Sequence, residues 1–302
     1  MEIKIHSFQK HKRLSLVQFS SQQINSFEYI SGAKAIEQNY IEIKEIDSSG
    51  SVNNIYLINS SDKYIFFMDG DILIGANQNR TLNSSVLIAP NSKINLPVSC
   101  VEQGRWSSIS DKFHPSQYIT PQKLRANKSK SVEESLRETK SHMAKQSEVW
   151  YDVNNYFFSY KMNSLTMNLS ELFDRKKDDF EEFLNKFELS QEANGMALFT
   201  DNNSLSIDLF NRTDIYQEYF PKLLRSAALE VFRLKDKENP ITEAEAIYKT
   251  VNLFDNLENF RFEIFPGIGI GQEKRFISNE ITGLELNFNN HLIHLTLLNL
   301  KN

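Results

Sequence analysis

The 302-residue chain holds one cysteine, Cys100. That excludes an internal disulfide and any zinc site built from several cysteines. No window reaches the roughly 18 apolar residues that a membrane helix needs. The opening MEIKIHSFQKHKRLSL lacks an apolar core long enough for a signal peptide. A basic excess is missing too: 34 Lys and Arg stand against 39 Asp and Glu, a net charge of −5. This argues against a generic nucleic-acid binder, which carries a basic face or stripe. The short Lys123–Lys130 run reads as a solvated loop. There is no P-loop, no H-E-x-x-H and no G-x-S-x-G, so most familiar kinase and hydrolase chemistries lack their signatures. What is present is a globular composition, 40% hydrophobic and 24% charged. Its length suits one large domain or two ordinary ones. A cytoplasmic protein is expected, with no membrane partner.

The first hundred residues read mostly as strands, with a short helix over 31–39 and turns at Ser48-Ser-Gly50 and Asp69-Gly70. The second turn is of the hairpin type. Residues 107–130 read as a long polar loop. Ser131-Val-Glu-Glu134 has the form of a capping box. After it, Leu136, Met143, Trp150 and Phe157 recur every seven residues along one long amphipathic helix. A shorter helix follows at 176–187, then a hairpin around Asp201-Asn-Asn203. Pro221 divides the helical pattern of 214–234, and the regular helix is expected to begin there. A second capping box, Thr242-Glu-Ala-Glu245, opens a helix to about Asp255. Strands near 259–265, 275–277, 283–288 and 291–298 close the chain, the last two joined by Asn289-Asn290. Strands, helices, hairpin, helices, strands: this order lacks repeated βα alternation and predicts an α+β fold. The expected form is a mostly antiparallel sheet from the N- and C-terminal strands with a central group of helices. One compact domain over 1–302 is expected.

The segment from Met68 to Trp106 is richer in chemistry than a sheet requires. Gln78, Asn79, Arg80, Glu102, Arg105 and Trp106 supply amides, two guanidinium forks, one carboxylate and a broad aromatic face. That set suits a phosphorylated, sugar-containing ligand with a flat base. Glu102 is the catalytic candidate, because a carboxylate can stabilise developing positive charge, orient a hydroxyl or activate water. Arg80 and Arg105 can fork onto phosphate, Gln78 and Asn79 can hold ribose or an amide, and Trp106 can stack. A purely structural Arg–Glu network fits the same residues. Gly267-Ile-Gly-Ile-Gly271 lacks Rossmann spacing. Gly267 and Gly269 instead mark a backbone that approaches the ligand, or a bulge, with the block as a wall of the site. Six of the ten glycines fall at 70, 75, 104, 267, 269 and 271, so the two glycine-bearing blocks are expected to meet. Cys100 reads as a small buried hydrophobe and not as a nucleophile. His294 reads as a core histidine. His291 and His294 lie on opposite faces of one strand and cannot pair on a metal. No metal site and no cofactor is assigned.

Gly70, Gly75, Gln78-Asn79-Arg80, Val98-Ser99-Cys100-Val101-Glu102 and Gly104-Arg105-Trp106 together resemble the signature of a family. It is named for its association with ADP-ribosylglycohydrolase, rhodanese and phosphatase-superfamily proteins. Gln146-Ser-Glu-Val-Trp150 and blocks near 195–231 and 267–297 extend the resemblance along nearly the whole chain. It implies a link to NAD or ADP-ribose metabolism and carries no reaction onto particular residues. The expectation is an enzyme acting on NAD-derived nucleotides or ADP-ribose, at a ribose N-glycosidic bond. A non-catalytic ADP-ribose or nucleotide sensor and a protein-interaction module remain the alternatives.

Overall fold

The computed structural model describes residues 1–46, 52–201, 203–234 and 239–301. The expected turn at Ser48-Ser-Gly50, and Asn202 of the expected turn at 201–203, lie outside them. The contacts divide into two compact units, where one was expected from sequence. The first comprises Met1–Glu28, Lys177–Phe265 and Gln272–Asn302; the second comprises Tyr29–Lys176 and Pro266–Gly271.

In chain order, β1 (Ile3–His11) and β2 (Leu14–Ser21) open the first unit. The second unit runs β3 (Ile30–Ser31), α1 (Gly32–Glu37), β4 (Ile41–Glu45), β5 (Asn54–Asn59), β6 (Ile65–Phe67) and β7 (Asp71–Gly75). It continues with β8 (Arg80–Leu82), β9 (Val86–Ile88), β10 (Ser92–Cys100), β11 (Phe113–Ile119), α2 (Gln122–Thr139), α3 (Gln146–Ser159) and α4 (Leu169–Arg175). The chain then returns to the first unit with α5 (Lys177–Leu184), β12 (Gly195–Thr200), β13 (Asn203–Phe210), α6 (Thr213–Val231) and α7 (Glu243–Asp255). It ends with β14 (Glu263–Pro266), β15 (Gln272–Ile277), β16 (Ile281–Phe288) and β17 (His291–Asn299). The fold is α+β with mostly antiparallel sheets. None of the helices among the described residues is long and apolar enough to cross a membrane.

The first unit is an eight-stranded sheet in the order β1-β2-β12-β13-β17-β16-β15-β14, so the terminal strands do share a sheet. Strand β2 is buried on both faces. Val17 and Phe19 join the cluster that contains Ala246 and Phe254 of α7. On the other face, Gln18 accepts a hydrogen bond from the Tyr216 hydroxyl of α6 at 2.8 Å. The capping box at Thr242 and Glu245 forms as expected. Asn289 and Asn290 both have positive φ, 49° and 65°, as the tight turn between β16 and β17 requires. Pro221 does not start α6. The helix begins at Thr213 and runs through the proline, held by buried Ile215, Tyr216, Tyr219 and Phe220 on its N-terminal side. Packing there outweighs the backbone hydrogen bond that a proline forgoes.

The second unit holds a six-stranded sheet, β11-β7-β8-β10-β5-β4, and a three-stranded one, β3-β6-β9. Its core includes Ile43, Leu57, Phe67, Leu82, Val98 and Phe113. Asp69-Gly70 is not a hairpin turn, because β6 and β7 on either side of it belong to different sheets. The polar 107–130 segment is not one long loop: it contains β11 and the first half of α2. The Lys123–Lys130 run is not solvated throughout, since Arg125 is 0% and Lys128 2% exposed. Arg125 forks onto Asp69, its Nε donating to Oδ2 and Nη2 to Oδ1, each at 3.1 Å. Lys128 donates to the Leu82 carbonyl and to Thr81 Oγ1. Ser131 therefore lies inside a helix, and its hydroxyl accepts from the Lys145 N–H at 2.9 Å. The seven-residue stripe is divided between two helices, because Lys140 takes a left-handed conformation and ends α2. Leu136 and Phe157 are buried, whereas Met143 and Trp150 are only partly so.

Candidate functional site

Gln78, Asn79, Arg80, Glu102, Arg105 and Trp106 do form one knot, at the end of the β8–β10 ladder. Cys100 pairs with Arg80 in register, and the Val101 N–H donates to the Asn79 carbonyl at 3.1 Å. This brings the two sequence motifs side by side. Gly75 leads into the knot with φ of 126°, and a Cβ there would lie 2.4 Å from Ser110 Oγ. Only glycine fits that backbone.

Glu102 is 4% exposed. Its Oε2 accepts from the Asn79 N–H at 3.1 Å and from Arg105 Nη2 at 2.7 Å. Among the described residues no donor reaches its Oε1. Asn79 is itself locked: its Oδ1 accepts from the Gly75 N–H at 3.1 Å, and its Nδ2 donates to Asn168 Oδ1 at 3.1 Å. The same Asn168 oxygen caps α4 by accepting from the Ser170 N–H at 3.0 Å. The carboxylate is thus held at one oxygen by backbone and guanidinium.

The two arginines are committed within the protein. Arg105 Nη1 donates to the carbonyls of Ala76 at 2.6 Å and Ser107 at 2.8 Å, besides the Glu102 pair. Arg80 is fully buried. It donates to Gln78 Oε1 at 3.2 Å, to Glu45 Oε1 at 3.4 Å and to the Cys100 sulfur. Gln78 also donates to the Gln103 carbonyl at 3.3 Å. The Arg80 guanidinium stands 5.5 Å from the centre of the Trp106 ring, a cation–π spacing. Trp106 itself is 48% exposed.

The glycine loop at 267–271 has a different cause. Ile270 N–H donates to the Leu87 carbonyl at 2.8 Å. A Cβ on Gly269 would come within 2.2 Å of that oxygen. Gly269 thus permits a close backbone approach to β9, whereas the near neighbours of Gly267 are Ile270 and Gly271 of its own loop. The near neighbours of Gly75 are Ser110, Lys112 and Phe113, and those of Gly104 are Leu165 and Thr166. The two glycine-bearing blocks do meet, through Ile270 and Leu87 of β9 and not through Gly75 or Gly104. His294 is buried, 3.6 Å from Asp208 Oδ1, as a core histidine. Among the described residues no three His, Cys, Asp or Glu side chains converge as a metal-binding group.

Burial pushes the Cys100 thiol up from 9.0 to about 11, against the opposing pull of Arg80. The thiol is then protonated at neutral pH, the wrong state for a nucleophile. Thiol reagents at about pH 8 are expected to leave the folded protein unlabelled and to label it fully once it is denatured. Because the folded value lies above the ordinary one, this group's stabilisation is complete below pH 9 and is lost as pH rises toward about 11. Rapid labelling of the native protein, with its fold intact, would contradict the burial.

Three site-shaping residues escaped the sequence reading. Glu45 holds Arg80 and accepts from the Asn77 N–H at 3.3 Å. Gln146 pairs with the Cys100 backbone in both directions, accepting from its N–H at 2.8 Å and donating to its carbonyl at 2.9 Å. Asn168 joins Asn79 to α4. Of the three, Asn168 carried a local signal, since Asn168-Leu-Ser-Glu171 has helix-start form, and Gln146 opened a block of the resemblance without a site role.

Neither a curated protein nor a solved structure matches the chain. The model of the ARG and Rhodanese-Phosphatase-superfamily-associated Protein domain matches residues 2–298, and the chain belongs to that family.

Proposed function

We propose that this protein binds an NAD-derived nucleotide of the ADP-ribose type at the knot between Asn79 and Trp106, and hydrolyses a ribose N-glycosidic bond there. The observation that carries the reading is the half-committed Glu102 carboxylate. Its Oε2 takes two donors, which fixes its direction, and its Oε1 is available to a ribose hydroxyl or to water. The exposed Trp106 ring, backed by Arg80, offers a face for the base. The family name adds the association with ADP-ribosylglycohydrolase that favours ADP-ribose among nucleotides.

In the proposed reaction the C1′–N bond breaks and the oxygen of water bonds to C1′. One water proton stays on that oxygen as the new C1′ hydroxyl, and the other passes to the leaving nitrogen, or to solvent where nicotinamide leaves as a neutral base. Glu102 stabilises the positive charge that develops on the ribose ring and orients the water. Arg105 and Arg80 serve as positioning residues, Arg105 for the carboxylate and Arg80 for the indole. A phosphate role for either fork would require it to leave its protein acceptors. Incubation with NAD, NADP, ADP-ribose and mononucleotides, resolved by mass, tests the reading: cleavage at the N-glycosidic bond supports it. Binding without product leaves a nucleotide sensor, and neither binding nor product leaves a structural ion-pair network in an interaction module.

A further inference from the structure

Helices α2 and α3 are in contact, and Val132, Leu136, Val149 and Val153 on them are buried. On the open side of the same helix pair lies a cavity of about 440 Å³, the size of a small-molecule site. Its α2 wall is Asn127, Lys130, Ser131 and Glu134. These fall at i, i+3, i+4 and i+7, one continuous helical stripe. The opposite wall is Lys145 with Glu148, Tyr151 and Asp152 of α3. Stripes at this spacing normally hold apolar residues where helices face each other. Here every position is polar or a phenol.

The charges in the cavity are not balanced pair by pair. Lys145 is held by Glu134 at 2.8 Å and by Glu148 at 3.6 Å, one cation between two carboxylates. Asp152 accepts from Asn127 Nδ2 at 2.9 Å. Lys130 is exposed, and among the described residues no carboxylate lies within ion-pair distance of it. The wall therefore presents one unmatched ammonium, a surplus of carboxylate and a Tyr151 ring that is 67% exposed. A dianionic phosphate would meet that surplus of carboxylate. A ligand with one carboxylate and one further cationic group meets complementary charge on both sides.

We propose that this groove is a second ligand site, independent of the Glu102 knot, and that it takes a small zwitterion of net positive charge, of the basic amino acid type. The ligand carboxylate pairs with Lys130. Its side-chain cation lies toward Glu148 and the Tyr151 ring, where carboxylate and π face both favour it.

Calorimetric titration with free arginine, agmatine (the same molecule without its carboxylate) and ribose 5-phosphate tests this on the full chain. Arginine is expected to bind saturably at one site with a Kd on the order of 1 mM. Agmatine should bind about three- to fivefold more weakly, the worth of one exposed ion pair. In a Lys130→Ala protein arginine should fall to the agmatine level, and agmatine should be unchanged or slightly tighter. Lys130 is exposed, so an unchanged melting curve is expected for that variant and confirms that the fold is intact. Tyr151→Ala should weaken both amines alike. The proposal is overturned by no saturable arginine binding to the native protein. It is equally overturned by a preference for arginine over agmatine that survives Lys130→Ala, or by tighter binding of ribose 5-phosphate than of arginine.

Discussion

Replacing Arg125 with alanine is expected to lower the thermal midpoint by roughly 10 °C, the largest stability loss among the substitutions considered. Arg125 is fully buried, and both of its bonds to Asp69 are 3.1 Å long. Removing it takes the guanidinium fork away from the Asp69 carboxylate, which is 3% exposed. Breaking a buried pair from one side costs about 3–5 kcal/mol. For domains of roughly 150–250 residues each kcal/mol moves the midpoint by about 2–4 °C. The Ser85 hydroxyl at 3.4 Å from Asp69 Oδ1 brings no charge to replace the guanidinium. Arg125→Lys should fall between the two, since an ammonium keeps the charge and loses the fork. A loss of under about 3 °C for Arg125→Ala would mean that α2 is not docked as described and that its cations are solvated after all.

Glu102→Gln is expected to reduce turnover by roughly two to four orders of magnitude, the usual weight of a positioned acid or base. The fold should change little. Glutamine keeps the volume, and its carbonyl oxygen can still accept from the Asn79 N–H. Arg105 retains the Ala76 and Ser107 carbonyls, so its charge keeps acceptors after the carboxylate is gone. Full activity in Glu102→Gln would remove Glu102 as the reacting carboxylate. A collapse of the midpoint together with lost binding would assign the Arg105–Glu102 pair to structure alone.

The parts of this fold that were legible in the sequence are those whose cause is local. The box at Thr242 and Glu245 bonds within its own first turn, and the Asn289-Asn290 turn needs only two residues that tolerate positive φ. The knot was legible for a related reason: its residue types exceed what strand alternation demands. Distant partners account for the failures. Arg125 and Lys128 look like a solvated run until Asp69 and the Leu82 carbonyl, far away in sequence, are placed beside them. Asp69-Gly70 satisfies a hairpin signal, yet its flanking strands pair elsewhere, because register is chosen by tertiary packing and not by the turn alone. The heptad-like stripe crosses the left-handed Lys140, which a hydrophobic pattern cannot detect. The commitment of both arginines to internal acceptors was equally invisible: Arg105 donates largely to backbone carbonyls, and the Glu45 partner of Arg80 lies far off in sequence.

The two tryptophans, Trp106 and Trp150, allow the nucleotide assignment to be read directly. In a Trp150→Phe protein all tryptophan emission comes from Trp106, whose half-exposed ring sits over Arg80. Titration of that folded protein with ADP-ribose or NAD is predicted to quench or shift the emission saturably, with ribose 5-phosphate doing so less and Glu102→Gln leaving the response in place. Unchanged emission with both nucleotides, together with no calorimetric binding at millimolar ligand, would contradict the account.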